Sequence, residues 1–274
     1  MTIAGDRTIF GDGSDKSIIT SSSTGPILTV GADSIVTLQS LQVTGAKGIQ
    51  PNDTDGYAVY CPDSPAGTRR LSILDSLITA NGDTTSGAGI VDGQSCTIEL
   101  SRSTFAGNHI GAFLAGSVTV DRCNFTGNNN GGLVIGGNFS VTNSFFVRNQ
   151  VGAQLEVPTV TPVLSFNTFV DNSVGLECLA DQVPISAANN IVARNQTNVT
   201  GAGSASNCTF PGTIITDTVT ALKFASPDNE PYDYHLTSGS IAIDAASSTT
   251  SDHDYDGDTR PRGAACDVGA DEAF

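Results

Sequence analysis

The feature that most constrains the fold is a short segment that returns six times with an asparagine at the same place. The copies are ILDSLITAN (73–81), LSRSTFAGN (100–108), VDRCNFTGN (120–128), VTNSFFVRN (141–149), LSFNTFVDN (164–172) and AANNIVARN (187–195). Successive asparagines, from Asn81 to Asn195, stand 27, 20, 21, 23 and 23 residues apart. A glycine follows most of them within a few positions: Gly82, Gly111, Gly131, Gly152 and Gly175. A period near this length, built of short alternating segments, describes a solenoid whose repeats bury their apolar faces only against their neighbours.

Aligned on the asparagine, the copies show which side chains turn inward. Three positions earlier stand Ile78, Phe105, Phe125, Phe146, Phe169 and Val192, and eight earlier stand Ile73, Leu100, Val120, Val141, Leu164 and Ala187. Five earlier the residues are small or amide: Ser76, Ser103, Cys123, Ser144, Asn167 and Asn190. Steps of two are the period of a strand, and the step of three from the eighth to the fifth position requires a bend. A further strand follows the glycine, as in GAFLA (111–115) and GLVIG (132–136). Three short strands per coil predict an all-β parallel β-helix of roughly nine or ten coils. The coils are expected over residues 1–220, with 221–274 as a capping segment that closes the last one. Each asparagine is expected to take left-handed backbone at a tight bend and to bond its amide between coils.

Charge narrows the partners. The chain carries 28 Asp plus Glu against 12 Lys plus Arg, a formal charge of −16. Such a surface repels nucleic acid and anionic membranes. It also repels polyuronates, unless calcium or a local arginine patch intervenes. No stretch approaches the apolar length of a transmembrane helix. The start, MTIAGDRTIFGDG, lacks the basic and apolar regions of a secretory leader. Either the chain is excised from a longer one or it is cytoplasmic; its first residues already read as part of a coil where a solenoid needs a cap, which favours excision. Cys61 and Cys96, and likewise Cys178 and Cys208, fall between one and two coils apart. If those pairs bridge, the protein is extracytoplasmic; the other reading is free thiols throughout. Cys123, on an inward position, reads as a buried thiol.

The tail carries SIAIDA (240–245), DYDGDTRP (254–261) and DVGADE (267–272). These stretches, together with the strand–Asn–Gly rhythm, resemble the bacterial choice-of-anchor Q group of β-helix proteins, allied to the polymorphic outer-membrane repeat proteins. The resemblance implies a right-handed β-helix of pectate-lyase-like architecture at the cell surface or outside the cell. It implies no single activity, because sites are grafted onto folds.

Two constellations could carry chemistry. In the first, Asp75, Arg102 and Arg122 share one position on successive coils, with Glu99 and Asp121 beside them. Neighbouring coils lie about 4.8 Å apart, so these residues should form an outward row. In an enzyme, an arginine there could hold a uronate carboxylate while a neighbour takes a proton, or two carboxylates could hydrolyse a glycoside. The plainer reading is charge pairing on the outside of a solenoid. In the second, Asp252, Asp254, Asp256 and Asp258 fall on every second residue beside Gly257. That pattern can wrap calcium, although the EF-hand glutamate is missing. The competing reading is that Asp267 or Asp256 pairs with Arg260 or Arg262 to lock the cap. A second charged row, Arg148, Asp171 and Arg194, reads as pairing between coils. His109, His235 and His253 show no metal-ligand spacing, and Tyr232, Tyr234 and Tyr255 gather in the capping segment.

The residues favour a secreted or surface-exposed module that is structural or adhesive, or that binds polysaccharide or cell-surface glycan. The alternative is a polysaccharide lyase or glycoside hydrolase acting on the outer face of the middle coils. A phage- or ice-related role is disfavoured by the lack of a regular outward Thr-x-Thr array. The insertions 51–56, 62–70 and 82–87 are the places where a groove would be framed.

Overall fold

A computed structural model describes residues 1–21, 24–48, 56–63, 67–83, 85–156, 158, 160–179, 183–201, 208–248 and 250–273. Parts of the predicted framing insertions (51–55, 64–66 and 84) lie outside the described residues, as do residues 202–207.

The chain winds into a right-handed parallel β-solenoid with three sheets of nine strands, hence nine coils. The coil through Ala88–Asp92, Cys96–Ser101 and Thr104–Ala106 shows the pattern, contributing one strand to each sheet. Within Cys96–Ser101 the buried residues are Cys96, Ile98 and Leu100, while Thr97, Glu99 and Ser101 face out. That two-residue alternation selects the strand's inward face. The register is set coil on coil: Phe105 pairs with Ile78 below and Phe125 above.

Two stacks run through the interior. Phe105, Phe125, Phe146 and Phe169 stack with ring centroids 4.7, 4.9 and 4.5 Å apart. Beside them the buried asparagine side chains bond one to the next. Asn108 Nδ2 donates to Asn128 Oδ1 at 3.2 Å, Asn128 Nδ2 to Asn149 Oδ1 at 2.8 Å, and Asn149 Nδ2 to Asn172 Oδ1 at 3.1 Å.

The bends differ from expectation in one respect. The asparagine itself is not left-handed; the residue before it is, at Ala80 (φ 53°), Arg148 (58°), Asp171 (59°) and Arg194 (50°). The amide must point into the stack to reach its neighbour, so the positive φ falls one place earlier. A second left-handed position, between the second and third sheets, holds Asp75, Arg102, Arg122 and Asn143. The glycines after the asparagine serve another purpose. A Cβ on Gly152 would meet Gly175 O at 2.5 Å, so coils approach too closely there for any side chain. By this criterion the in-register glycine after Asn128 is Gly132, not Gly131.

Disulfides join Cys61 to Cys96 and Cys178 to Cys208, each linking neighbouring coils at the corner between the first and second sheets. Cys123 and Cys266 are buried free thiols.

The C-terminal segment does not contribute to the interior core among the described residues. It forms a two-stranded antiparallel sheet, Phe224–Ser226 with Asp233–Leu236, and lies along the outside of the third sheet. Leu222, Phe224, Tyr234, Leu236, Val268 and Ala270 pack there against Phe145, Val147, Val170, Ile191 and Ala193. The reason is local. The strands Phe145–Val147, Thr168–Val170 and Ile191–Ala193 are buried on both faces, whereas Thr104–Ala106 and Asn124–Thr126 leave their outward residues only half-buried. Apolar outward residues in the later coils need a cover, and the segment folds back to supply it.

Candidate functional site

The predicted outward row exists as a row, but the structure divides it. Arg102 grips Asp75 with two hydrogen bonds, Nε to Oδ1 at 2.6 Å and Nη2 to Oδ2 at 2.9 Å. That guanidinium holds the Asp75 carboxyl below the usual carboxylate range. Glu99 turns to Arg70 and Ser72 instead, accepting at 3.0 and 3.1 Å. Arg122 lies beneath the capping segment, donating from Nε to Tyr255 O at 2.8 Å, with Gly257 directly over its guanidinium. Asp121 accepts from Thr142 Oγ1 and Asn143 Nδ2, both at 2.9 Å, and meets His253 Nε2 at 2.9 Å. Burial alone would pull the His253 pKa down, but Asp121 and Asp252 together hold it above the ordinary imidazole value. The row is thus split: Arg122 and Asp121 dock the segment that covers them, while Asp75, Arg102 and Glu99 find their partners on the coils.

The four alternating aspartates do not assemble into one shell. Asp254 is fully buried; its Oδ1 accepts from the N–H groups of Gly257 and Asp258, and its Oδ2 from Glu272 N. Asp258 pairs with Arg262 at 2.6 Å, and Asp252 hydrogen-bonds to His253. A turn with its central carboxylate consumed by backbone donors does not fit a shared calcium. Nor do the expected partners lock the cap. Arg260 pairs with Glu272 rather than with Asp267 or Asp256. One group that can hold a metal does form among the described residues: His235, Asp256 and Asp271, whose ligand atoms lie within 4.8 Å of one another. Burial pushes the Asp271 carboxyl up to about 6. Cys61, Asp92 and Cys96 also converge, but both sulfurs are committed to a disulfide.

An open groove lies elsewhere, along the bend that follows the third sheet. It encloses about 720 Å³ between Arg148, Asp171 and Arg194 on the coils and Pro227, Asp228 and Tyr232 on the C-terminal segment. Arg194 is doubly tied, to both oxygens of Asp171 (2.5 and 2.7 Å) and to Asp228 Oδ1 (2.5 Å). Tyr234 Oη donates to Asp171 Oδ2 at 2.6 Å, and burial together with that carboxylate pushes the phenol pKa up. Arg148 differs. Its guanidinium sits 3.8 Å above the ring of Tyr232, and among the described residues no carboxylate pairs with it. An adjoining cavity of about 680 Å³ shares Arg148 and Tyr232 and continues past Phe145, His235 and Tyr255.

The row Arg148, Asp171 and Arg194 was legible as charged positions one coil apart, but its pairing was only half as expected, since Arg148 takes an aromatic face and not Asp171. Tyr232 and Asp228 approach from a distant part of the chain, and only their polar, proline-flanked stretch hints at a surface loop.

No family profile and no curated protein matches the chain. A solved structure described as the crystal structure of pectate lyase Pel9A matches it with a TM-score of 0.57 and 16% identity, over 98% of this chain and 86% of that one. At that identity the likeness is one of fold: a pectate-lyase-like right-handed β-helix.

Proposed function

We propose that this protein is an extracellular, carbohydrate-associated β-helix that takes an acidic polysaccharide along the groove after the third sheet. The observation that carries the reading is Arg148: an exposed guanidinium at a groove, stacked on Tyr232 and without a carboxylate partner among the described residues, in a chain of net charge −16. Desolvated by the tyrosine on one side, it offers the forked donors that recognise a uronate carboxylate. It is the local arginine patch that an acidic protein needs to receive an anionic glycan. Amide and hydroxyl side chains of Asn129, Gln150, Ser173 and Gln196 line the same groove and suit sugar hydroxyls. The two disulfides support a place outside the reducing cytoplasm, and the C-terminal motifs fit the surface group they resemble.

Binding is tested by calorimetry with polygalacturonate, alginate and an uncharged glucan at two salt concentrations. The acidic polymers should bind and Arg148→Ala should abolish it. Equal affinity for the neutral glucan, or unchanged affinity in the variant, would sink the reading.

The enzymatic reading, a polysaccharide lyase or glycoside hydrolase on the outer face of the middle coils, is favoured by the fold shared with a pectate lyase. In a lyase, a base removes the proton beside the uronate carboxyl, the C4–O bond breaks and a C4–C5 double bond forms. Asp75 and Arg102 are the accessible pair for such a step, because Arg122 is covered. Ultraviolet absorbance of unsaturated product, with reducing-end release, checks this across the same polymers. Turnover lost in Arg102→Ala places chemistry on that row; turnover lost only in Arg148→Ala places it in the groove.

A further inference from the structure

We propose that His235, Asp256 and Asp271 bind a divalent first-row transition-metal ion, for which Zn²⁺ is the probe, and that this ion fastens the three separate stretches of the C-terminal segment to one another. His235 lies in the strand Asp233–Leu236, Asp256 in the acidic turn and Asp271 near the end of the chain. Their ligand atoms converge within 4.8 Å.

The imidazole is set up for the purpose by its other nitrogen. His235 Nδ1 lies 2.5 Å from Asp233 Oδ1, a carboxylate oxygen that also accepts from His235 N at 3.0 Å. A carboxylate only accepts, so Nδ1 carries the proton and the lone pair falls on Nε2. Nε2 is closed to solvent, makes no hydrogen bond, and faces Asp256 Oδ2 at 3.0 Å. Two acceptors in contact repel unless a cation lies between them. Ligand atoms about 2.0–2.1 Å from a tetrahedral zinc stand roughly 3.3 Å apart, close to the spacing seen. The carboxylate–imidazole–ligand order is the arrangement that fixes tautomer and ring orientation at metal sites. Packing completes the constraint: the ring meets Phe145 edge-on at 5.5 Å and Tyr255 at 6.1 Å between centroids.

The two carboxylates differ in a way that suits binding. Asp271 is buried and held by the N–H of Leu236 at 2.6 Å, whereas Asp256 is exposed and leaves the side by which an ion and a completing water enter. One imidazole nitrogen among carboxylate oxygens selects against calcium and magnesium, which prefer oxygen throughout. The ion expected from the aspartate pattern alone was calcium; the geometry points to a different class, and only Asp256 of that set takes part. The other resolution of the Nε2–Oδ2 contact is a second proton on the imidazole, forming an ion pair with Asp256, and the experiment separates the two.

Chelator-treated full chain is titrated with Zn²⁺, Co²⁺, Ca²⁺ and Mg²⁺ by calorimetry, with melting followed in parallel. One equivalent of Zn²⁺ should bind and raise the melting temperature, Co²⁺ should give a visible absorption band, and Ca²⁺ should compete with neither. Asp256→Asn, in an exposed position that leaves folding intact, and His235→Asn should each weaken Zn²⁺ binding by more than tenfold. Asp233→Ala, which touches no metal, should weaken it by about 10–100-fold. Absence of saturable Zn²⁺ or Co²⁺ binding, binding unchanged in Asp256→Asn and His235→Asn, or a preference for Ca²⁺ would each overturn the proposal. So would a nitrogen-15 spectrum showing His235 doubly protonated at neutral pH in the presence of excess Zn²⁺.

Discussion

Arg260 Nη1 and Glu272 Oε2 meet at 2.9 Å with both side chains closed to solvent. Further hydrogen bonds surround both groups. Arg260 also donates to the carbonyls of Asp267 and Gly269 at 2.8 Å, and Glu272 accepts from the N–H groups of Arg262 and Asp267 at 2.9 and 2.8 Å. The pair joins two of the three tail stretches, 254–261 and 267–272. Removing one partner strands the other charge in the interior. Glu272→Ala should therefore destabilise by about 3–5 kcal/mol, while the double change Arg260→Met with Glu272→Leu should cost far less than the two single changes summed. Urea denaturation of the three variants measures this, and strictly additive losses would contradict it.

In the interior, Phe125 has a parallel ring above and below it, at 4.9 and 4.7 Å. Neighbouring coils cannot collapse into the space it fills, because their own register is fixed by strand pairing on both sides. Phe125→Ala should cost about 3–5 kcal/mol. A thermal transition identical to that of the parent would show that the stack contributes nothing.

Asn128 ties three coils together through buried hydrogen bonds. Its Oδ1 accepts from Asn108 N at 3.0 Å, and its Nδ2 donates to Phe105 O at 3.0 Å as well as to Asn149. Asn128→Leu keeps the volume and removes every one of these bonds. The expected loss is about 1–3 kcal/mol for each buried group left unsatisfied, with hydrogen exchange accelerating first at the Asn108 amide. Exchange that is uniform along the coils would argue against a local role.

Asp92 supplies a pH dependence. Burial raises its carboxyl to about 6, against opposing bonds from the N–H groups of Gly116 and Ala115. A carboxyl whose folded pKa is raised favours the fold while protonated. The contribution is complete below the unfolded value of about 3.9 and disappears as pH rises through about 6. Stability measured between pH 4 and pH 7 should fall from this residue, and Asp92→Asn should flatten that limb. An unchanged slope in the variant would assign it to another group.

Legibility followed the distance over which each contact repeats. Phe105, Phe125, Phe146 and Phe169 touch the same position of the next coil, so one alignment revealed the stack and its direction. The left-handed bends were also foreseeable, but their placement was missed by one residue, because the need of the asparagine amide to reach its neighbour is a three-dimensional requirement. The shared position of Asp75, Arg102 and Arg122 on successive coils predicts a row, yet nothing local announces that Tyr255 and Gly257 lie over Arg122.

By itself, the sequence determined what recurs: a chain that repeats inward apolar positions, a buried asparagine and a close-packed glycine at one period can satisfy them together only by stacking coils in register. The tertiary structure alone decided what the unique segment does. Residues 221–274 carry no period, and their resting place depends on a surface, the apolar outside of the strands at 145–147, 168–170 and 191–193, that exists only after the coils have stacked. Tyr232 over Arg148, Asp228 on Arg194, and His235 beside Asp256 and Asp271 all follow from that docking, and no spacing along the chain encodes distances between segments that meet through space.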